Sequence, residues 1–446
     1  MLKPIKQLLL LLLFIETLNA IENIEYAIET NLFYATYNDY YNNTRDLGSL
    51  EEVRENSLFD KESSIGELGL QLGASADITE YLNGGFILAV TSPMGMQNFM
   101  TDGTFTGSMK TKVWINEAWI GAQFKKTSLK VGRMQIDTPF LFSEDWSVVP
   151  ESFESIILHS NDIKDTLVYL AAVVKYNGPS VLSGGYADYY YKDREVDEIS
   201  DGNIFQKFGN NGALAIGAIN SSIENLKLQG WYYGIDTDPN DKETHMLNSM
   251  KSFWLQADLE LKDTQQSGYL AGVQFSATKY DYEKNSQNNV LGLMLGYTHR
   301  DIFTAKVSYT KVGDDNTNQT GVGKNLAGNE SRLYTEAWWA YGVITRNDTQ
   351  AYNLSLKYSP KDYVMGLYYT QATNRNGFAT GTNYESDADL TEVTLELSRE
   401  LDFKDYGNAD LGFFYVYTEY ANDNQPDITQ KGKPYSSVHL NLIYNF

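Results

Sequence analysis

A chain of 446 residues with 35 basic against 58 acidic side chains, a formal charge of −23, repels nucleic acid and points to a solvated acidic surface or lumen. It contains no cysteine, which excludes disulfide scaffolds and thiolate metal sites. Its 33 tyrosines raise the aromatic share to 13%, and tyrosine, with an apolar ring and a polar hydroxyl, suits a wall that meets both lipid and headgroups.

The first twenty residues read as a signal peptide. Lys3 and Lys6 precede an apolar run from Leu8 to Ile15, and Leu18-Asn19-Ala20 offers cleavage that leaves Ile21 as the new terminus. A retained anchor is the alternative, but the run falls short of the ~20 residues that span a bilayer. No later segment is apolar enough for a transmembrane helix, so a membrane form of this chain would have to be a closed barrel. The remainder, from residue 21 to 446, reads as one domain.

Period-two alternation then recurs along the chain. It predicts strands over Ile24–Asn38, Ile65–Ile78, Gly85–Thr91, Lys112–Phe124 and Ser128–Met134. Further strands fall at 166–176 and 181–192, joined by the turn Asn177-Gly178-Pro179-Ser180, and at 212–222, 226–235, 251–262 and 268–282. Leu291–His299, Phe303–Val312, Tyr352–Ser359, Tyr363–Thr373, Leu390–Glu400, Ala409–Tyr420 and Tyr435–Phe446 complete a set of about eighteen. Phe253, Leu255, Ala257, Leu259 and Leu261 face one way, and Gln256, Asp258, Glu260 and Lys262 the other. Short turns alternate with long loops. An even strand number puts both termini on one side, which is the layout of a transmembrane barrel with short periplasmic turns and long extracellular loops. A soluble sandwich would hide the apolar face against a second sheet. The terminal strand ending at Phe446 favours the all-β, antiparallel barrel.

A barrel of sixteen to eighteen strands leaves a water-filled lumen, which selects solutes by loops folded inward. Two connections are long enough. Residues 135–165 carry Glu144, Asp145, Glu151 and Glu154, and residues 313–348 carry Glu330, Arg332 and Glu336 together with Tyr334, Trp338 and Trp339. These charged residues are the constriction candidates, and the aromatics are expected to pack inside the lumen. Solvated surface loops are the alternative. An acidic constriction favours cations or zwitterions such as amino acids, and neutralising Glu144 and Asp145 is expected to lower cation preference.

The four histidines have neither metal-ligand nor triad spacing. His159-Ser160 holds the residue types of a hydrolase, but adjacent strand residues point apart. Asp236-Thr237-Asp238 and Asp314-Asp315-Asn316 are incomplete as calcium loops. No enzyme activity and no cofactor are expected.

Several short segments follow one another in a telling order: Asn116-Glu117-Ala118-Trp119-Ile120, then Leu129-Lys130-Val131-Gly132-Arg133-Met134-Gln135, then Thr138-Pro139-Phe140, then Val149-Pro150-Glu151-Ser152-Phe153-Glu154. This order resembles the OprD-like porins, where a strand ending Gly-Arg-Gln leads into a Thr-Pro loop and a Pro-x-x-Phe-x-Gly segment. Leu333-Tyr334-Thr335-Glu336-Ala337-Trp338-Trp339 resembles a stretch of the major porins of campylobacter-like bacteria. The chain departs from the pattern at Met134, which separates Arg133 from Gln135, and at Glu154-Ser155, which stands where glycine is usual. The resemblance implies a barrel of eighteen strands, two inward loops and a ladder of basic residues, of which Arg133 is the one position carried over. An arginine that holds the loop through a carboxylate is the other reading of Arg133. The implied partners are outer-membrane lipid, lipopolysaccharide and small hydrophilic solutes, with monomer and homotrimer both open. A non-conducting adhesin or structural barrel is the competing function.

Overall fold

The computed structural model describes residues 22–38, 40–42, 53–55, 57–60, 63–94, 111–144, 148–177, 205–237, 249–281, 287–314, 322–328, 330–375, 388–421 and 434–446. The barrel strands are β1 (Glu22–Asn38), β2 (Ser64–Thr79), β3 (Leu82–Ser92), β4 (Lys112–Phe124), β5 (Thr127–Met134) and β6 (Phe153–Ser160). Next come β7 (Thr166–Tyr176), β8 (Ala213–Ile223), β9 (Leu226–Ile235), β10 (Ser249–Lys262), β11 (Gly268–Asp281) and β12 (Gln287–His299). The set ends with β13 (Phe303–Val312), β14 (Thr349–Tyr358), β15 (Tyr363–Asn374), β16 (Ala388–Asp402), β17 (Asn408–Ala421) and β18 (Tyr435–Asn445). Each pairs antiparallel with its neighbours in chain order. The two-residue strand Gln206–Lys207 adds to the upper end of β7.

The sheet closes on itself because β1 lies between β18 and β2. Leu32 stands opposite both Leu442 and Leu68. No barrel edge is left to recruit another chain. One rim holds the tight turns, where Lys125 (φ 54°) and Asn225 (φ 63°) take the left-handed conformation that such hairpins need. The long connections leave from the other rim.

Alternation sorts the two faces. On β10, Trp254 is fully buried while its neighbours Phe253 and Leu255 are 54% and 56% exposed. Leu293, Leu295, Val307, Leu395 and Leu397 continue this exposed apolar band around the wall. A band of that extent needs a lipid cover. Inside, the apolar side chains that are hidden from water lie in two clusters where the long loops meet the strands.

Two expectations need correction. Residues 153–160, expected as part of a long loop, form β6 between β5 and β7. The hairpin expected between 166–176 and 181–192 does not form, because β7 pairs directly with β8. Residues 181–192 lie outside the described residues. β6 was hidden because its inward residues Phe153 and Ile157 are covered by loop side chains, while Ile156 faces out. Both faces are therefore apolar, and period two disappears. The two errors offset one another, so the expected strand number and parity stand.

Leu295→Arg, in the middle of the exposed band, is expected to cost about 2–4 kcal/mol of stability in lipid, whereas Ser355→Arg on the inner face costs under about 1 kcal/mol. Urea titration of the vesicle-inserted barrel measures the difference.

Candidate pore constriction

The β5–β6 connection carries apolar residues that avoid water by crossing the barrel. Thr138 closes a turn by donating to the Leu141 carbonyl (2.7 Å) and accepting from the Leu141 amide (3.2 Å). This presents Phe140, whose ring meets Trp254 edge-on at 5.0 Å and Tyr233 at 5.3 Å. The return arm lies against the opposite strands. A Cβ on Gly69 would sit 2.2 Å from the Val148 carbonyl oxygen, so β2 needs glycine there. Asn116 of β4 donates to the Pro150 carbonyl (3.1 Å).

The β13–β14 connection hangs from inward polar side chains around much of the wall. Tyr334 donates through its hydroxyl to Asp258 of β10 (2.5 Å) and through its amide to Gln274 of β11 (3.1 Å). Gln274 in turn donates to the Arg332 carbonyl (2.8 Å). Thr335 donates to Thr310 of β13 (2.8 Å). Glu392 of β16 accepts from three successive amides, those of Trp338 (2.7 Å), Trp339 (3.1 Å) and Ala340 (2.7 Å). This grip lays Trp338 on Phe414 of β17 (4.4 Å) and Trp339 against His439 of β18 (4.3 Å).

The two connections join across the lumen. Asn325 pairs with the Phe142 backbone in both directions (3.3 and 2.9 Å) and donates to Glu144 (3.0 Å). Glu144 also accepts from the Glu330 amide (2.7 Å). Its carboxylate occupies the space a Cβ on Gly328 would need. The Leu326 amide donates to the Phe140 carbonyl (2.8 Å). Arg332 pairs with Asp137 (2.9 Å) and stacks over Phe142 at 4.2 Å.

Burial at this junction perturbs its charges. Desolvation, reinforced by the charges of Glu144 and Glu330, holds the Glu151 carboxyl well above the usual carboxylate range. Desolvation likewise pushes Glu336 up to about 8, against the opposing hydrogen bonds from Ser331 and the Gly342 amide. Lys324 is pushed down by burial although Glu144 and Glu336 lie nearby.

Of the residues expected at a constriction, Glu144, Glu151, Glu330, Arg332 and Glu336 thus come together. Glu144 and Glu151 are 1% exposed and form part of the joint itself. Arg133 and Glu154 lie elsewhere, on the wall where β5 enters and β6 leaves the long connection. Both Nε (2.9 Å) and Nη2 (2.8 Å) of Arg133 donate to one Glu154 oxygen, and the guanidinium stacks on Phe205 at 4.1 Å. Alternation puts Arg133 on the face of Leu129 and Val131, which are exposed on the outer wall. Asp145 lies outside the described residues.

The wall below the joint is divided by charge. Alternation turns Glu25 and Glu29 of β1, Glu117 of β4, Glu396 and Glu400 of β16 and Asp410 of β17 to the inside. Lys130 of β5, Lys227 of β9, Lys306 of β13 and Lys357 of β14 face them from the other arc. Asp258 and Glu260 stand among the lysines, the first bonded to Tyr334 and the second paired with Lys262 at 3.2 Å. Sequence reasoning placed Glu392, Gln274 and Asn325 on no site, because an inward polar residue looks the same whether it faces water or a loop.

No family model matches the sequence, and no curated protein matches it. Solved structures do match its fold. The chain is similar to OccK3 (OpdO) of Pseudomonas aeruginosa, with 12% identity over 97% of this chain and 98% of that one and a TM-score of 0.67. It is also similar to OccAB1 of Acinetobacter baumannii, with 14% identity, 96% and 98% coverage and a TM-score of 0.69. A BenF-like porin of Pseudomonas fluorescens gives 12% identity, 96% and 99% coverage and a TM-score of 0.69. At such identities the likeness establishes the barrel fold.

Glu392→Ala removes the acceptor of three amides inside the barrel, a loss of at least about 2 kcal/mol. Limited proteolysis is expected to cut the β13–β14 connection in this variant and leave the unmodified chain intact. The raised Glu336 pKa also has a sign. The folded state holds this proton more tightly than the unfolded chain, so the joint is most stable below about pH 4.5 and weakens as pH rises towards about 8. Tryptophan fluorescence between pH 5 and 9 is expected to report this loosening, and Glu336→Gln to reduce it.

Proposed function

We propose that the chain is an outer-membrane porin, a passive diffusion channel for small hydrophilic solutes with a preference for cations or zwitterions such as amino acids. The observation that carries this reading is the joint of two connections across an otherwise wide barrel, held above a wall whose one arc is acidic. An exposed apolar band places such a barrel in lipid, and the likeness of its fold to a BenF-like porin agrees with a channel. Solutes would pass beside the joint, along the arc of Glu29, Glu396, Glu400 and Asp410, where low-dielectric surroundings strengthen attraction for positive charge. Glu144 and Glu151 serve in this reading to hold the loops in place, and the exposed charges of the wall supply the filter.

Planar-bilayer recording of the purified chain tests it. Stepwise openings with a cation-biased reversal potential in a salt gradient are expected. The double variant Glu396→Gln, Asp410→Asn should shift that potential towards zero, and an unchanged value would remove the acidic arc from the filter. Silence from a correctly folded barrel would favour the non-conducting alternative.

A further inference from the structure

Three lysines stand on the outside of the wall, at the rim where the long connections leave it. Lys251 of β10, Lys279 of β11 and Lys311 of β13 alternate onto the face of Phe253, Phe275 and Tyr309, and all three are exposed. Each is the first outward side chain beyond the apolar band. On β10 that band runs from Phe253 to Leu261, about 26 Å along the strand, or about 20 Å along the barrel axis at a tilt of ~40°. Lys251 and Lys279 are register partners, side by side on neighbouring strands. Lys279 faces Gln287 of β12 and Lys311 faces Leu291, which leaves about 16 Å between the α-carbons of Lys279 and Lys311. Among the described residues, none of the three lysines is in an ion pair. Lys251 also borders bare backbone, because its partner on β9 is Gly234. A Cβ on Gly234 would lie 3.4 Å from the hydroxyl of Tyr232, whose ring packs against Phe253 at 5.1 Å.

Like charges directly opposite one another on a sheet repel, and an anion between them removes the cost. A lysine at the edge of hydrocarbon lays its stem on the apolar surface and lifts its ammonium to the headgroup level, where anionic lipid attracts it. The rim of the long connections is the extracellular one, so the headgroups at this level belong to the outer leaflet. We propose that Lys251, Lys279 and Lys311 form a docking surface for the phosphorylated sugar headgroup of lipopolysaccharide, with its acyl chains on the apolar band below. Lys251 and Lys279 share one phosphate, and Tyr232 donates its hydroxyl to the same group across the gap at Gly234. Lys311 takes a second phosphate. The spacing therefore selects a headgroup with more than one phosphate over a small anion or a singly phosphorylated lipid. Charge also selects this arc of the wall, since at the same rim β16 and β17 turn Asp389 and Glu419 outward. The inference rests on placement in the outer membrane and not on conduction.

Native mass spectrometry of the detergent-folded full chain mixed with bisphosphorylated lipid A measures the contact. A one-to-one adduct is expected. Dephosphorylated lipid A should bind at least about tenfold more weakly, and so should bisphosphorylated lipid A to the triple variant Lys251→Gln, Lys279→Gln, Lys311→Gln. Excess sodium pyrophosphate should fail to displace the lipid. The control variant Lys164→Gln, Lys361→Gln, Lys404→Gln removes the same charge from the turns of the short rim and should bind like the unmodified chain. Heat-modifiable gel mobility checks that both variants fold. Equal binding of the dephosphorylated lipid, displacement by pyrophosphate, or equal behaviour of the two triple variants would overturn the inference. An oligomer in lipid-free detergent that only the Lys251, Lys279, Lys311 variant loses would also overturn it, by assigning the basic row to the acidic arc of a second copy. Channels in bilayers from a chain that binds no lipid A would remove the site and leave the porin reading. Binding without channels would do the reverse.

Discussion

Everything in this molecule follows from one requirement, that each backbone N–H and C=O in the wall find its partner inside the protein. Lipid around the exposed apolar band offers no hydrogen bonds, so an open edge there is not tolerated. The pairing of β1 with both β18 and β2 meets the requirement by leaving no edge in the ring. Closure with this many strands then creates the second problem. The ring is too wide for its own inward side chains to fill, and an unfilled ring discriminates poorly between solutes. The two long connections are the answer to that width.

Their attachment explains the buried acids. A loop that crosses a lumen must pair its own amides away from bulk water, and the inward polar face of the strands is the available source of acceptors. Glu392 meets three amides, Gln274 both gives and accepts, and Glu144 joins the two loops to one another. Buried carboxylates persist where several N–H groups converge on them. Glu336, with two hydrogen bonds against strong desolvation, sits nearer the balance point, which is why its proton is held towards neutral pH. Acids inside this barrel thus stand in two settings. Some hold backbone, and others face the water of the lumen.

The wall was legible in the sequence because its two faces differ. Phe253, Leu255 and Leu261 against Gln256 and Asp258 is a pattern that only a two-sided wall produces. The rule failed at β6, where the loop core makes Phe153 and Ile157 as apolar as the outward Ile156. The loops were legible only in outline. Their length and their aromatics announced that they would be buried, and Tyr334, Trp338 and Trp339 do pack against the strands. Their contacts join residues tens to hundreds of positions apart, such as Phe142 with Asn325, and no local pattern encodes such a partner. Arg133 shows the same limit. Its motif was visible, but its face was decided by strand alternation and its role by Glu154 across the β5–β6 pair.

The three-amide grip of Glu392 also sets a schedule. The amides it holds precede it in the chain by more than fifty residues, and Trp339 reaches its ring partner His439 a hundred residues further on. Neither contact can exist until β16 and then β18 have joined the growing sheet. Non-local contacts of this kind form late, since the entropy of closing the intervening chain must be met first. The barrel therefore has to be built around an unfinished loop, and the lumen acquires its final shape as the last seam between β18 and β1 closes.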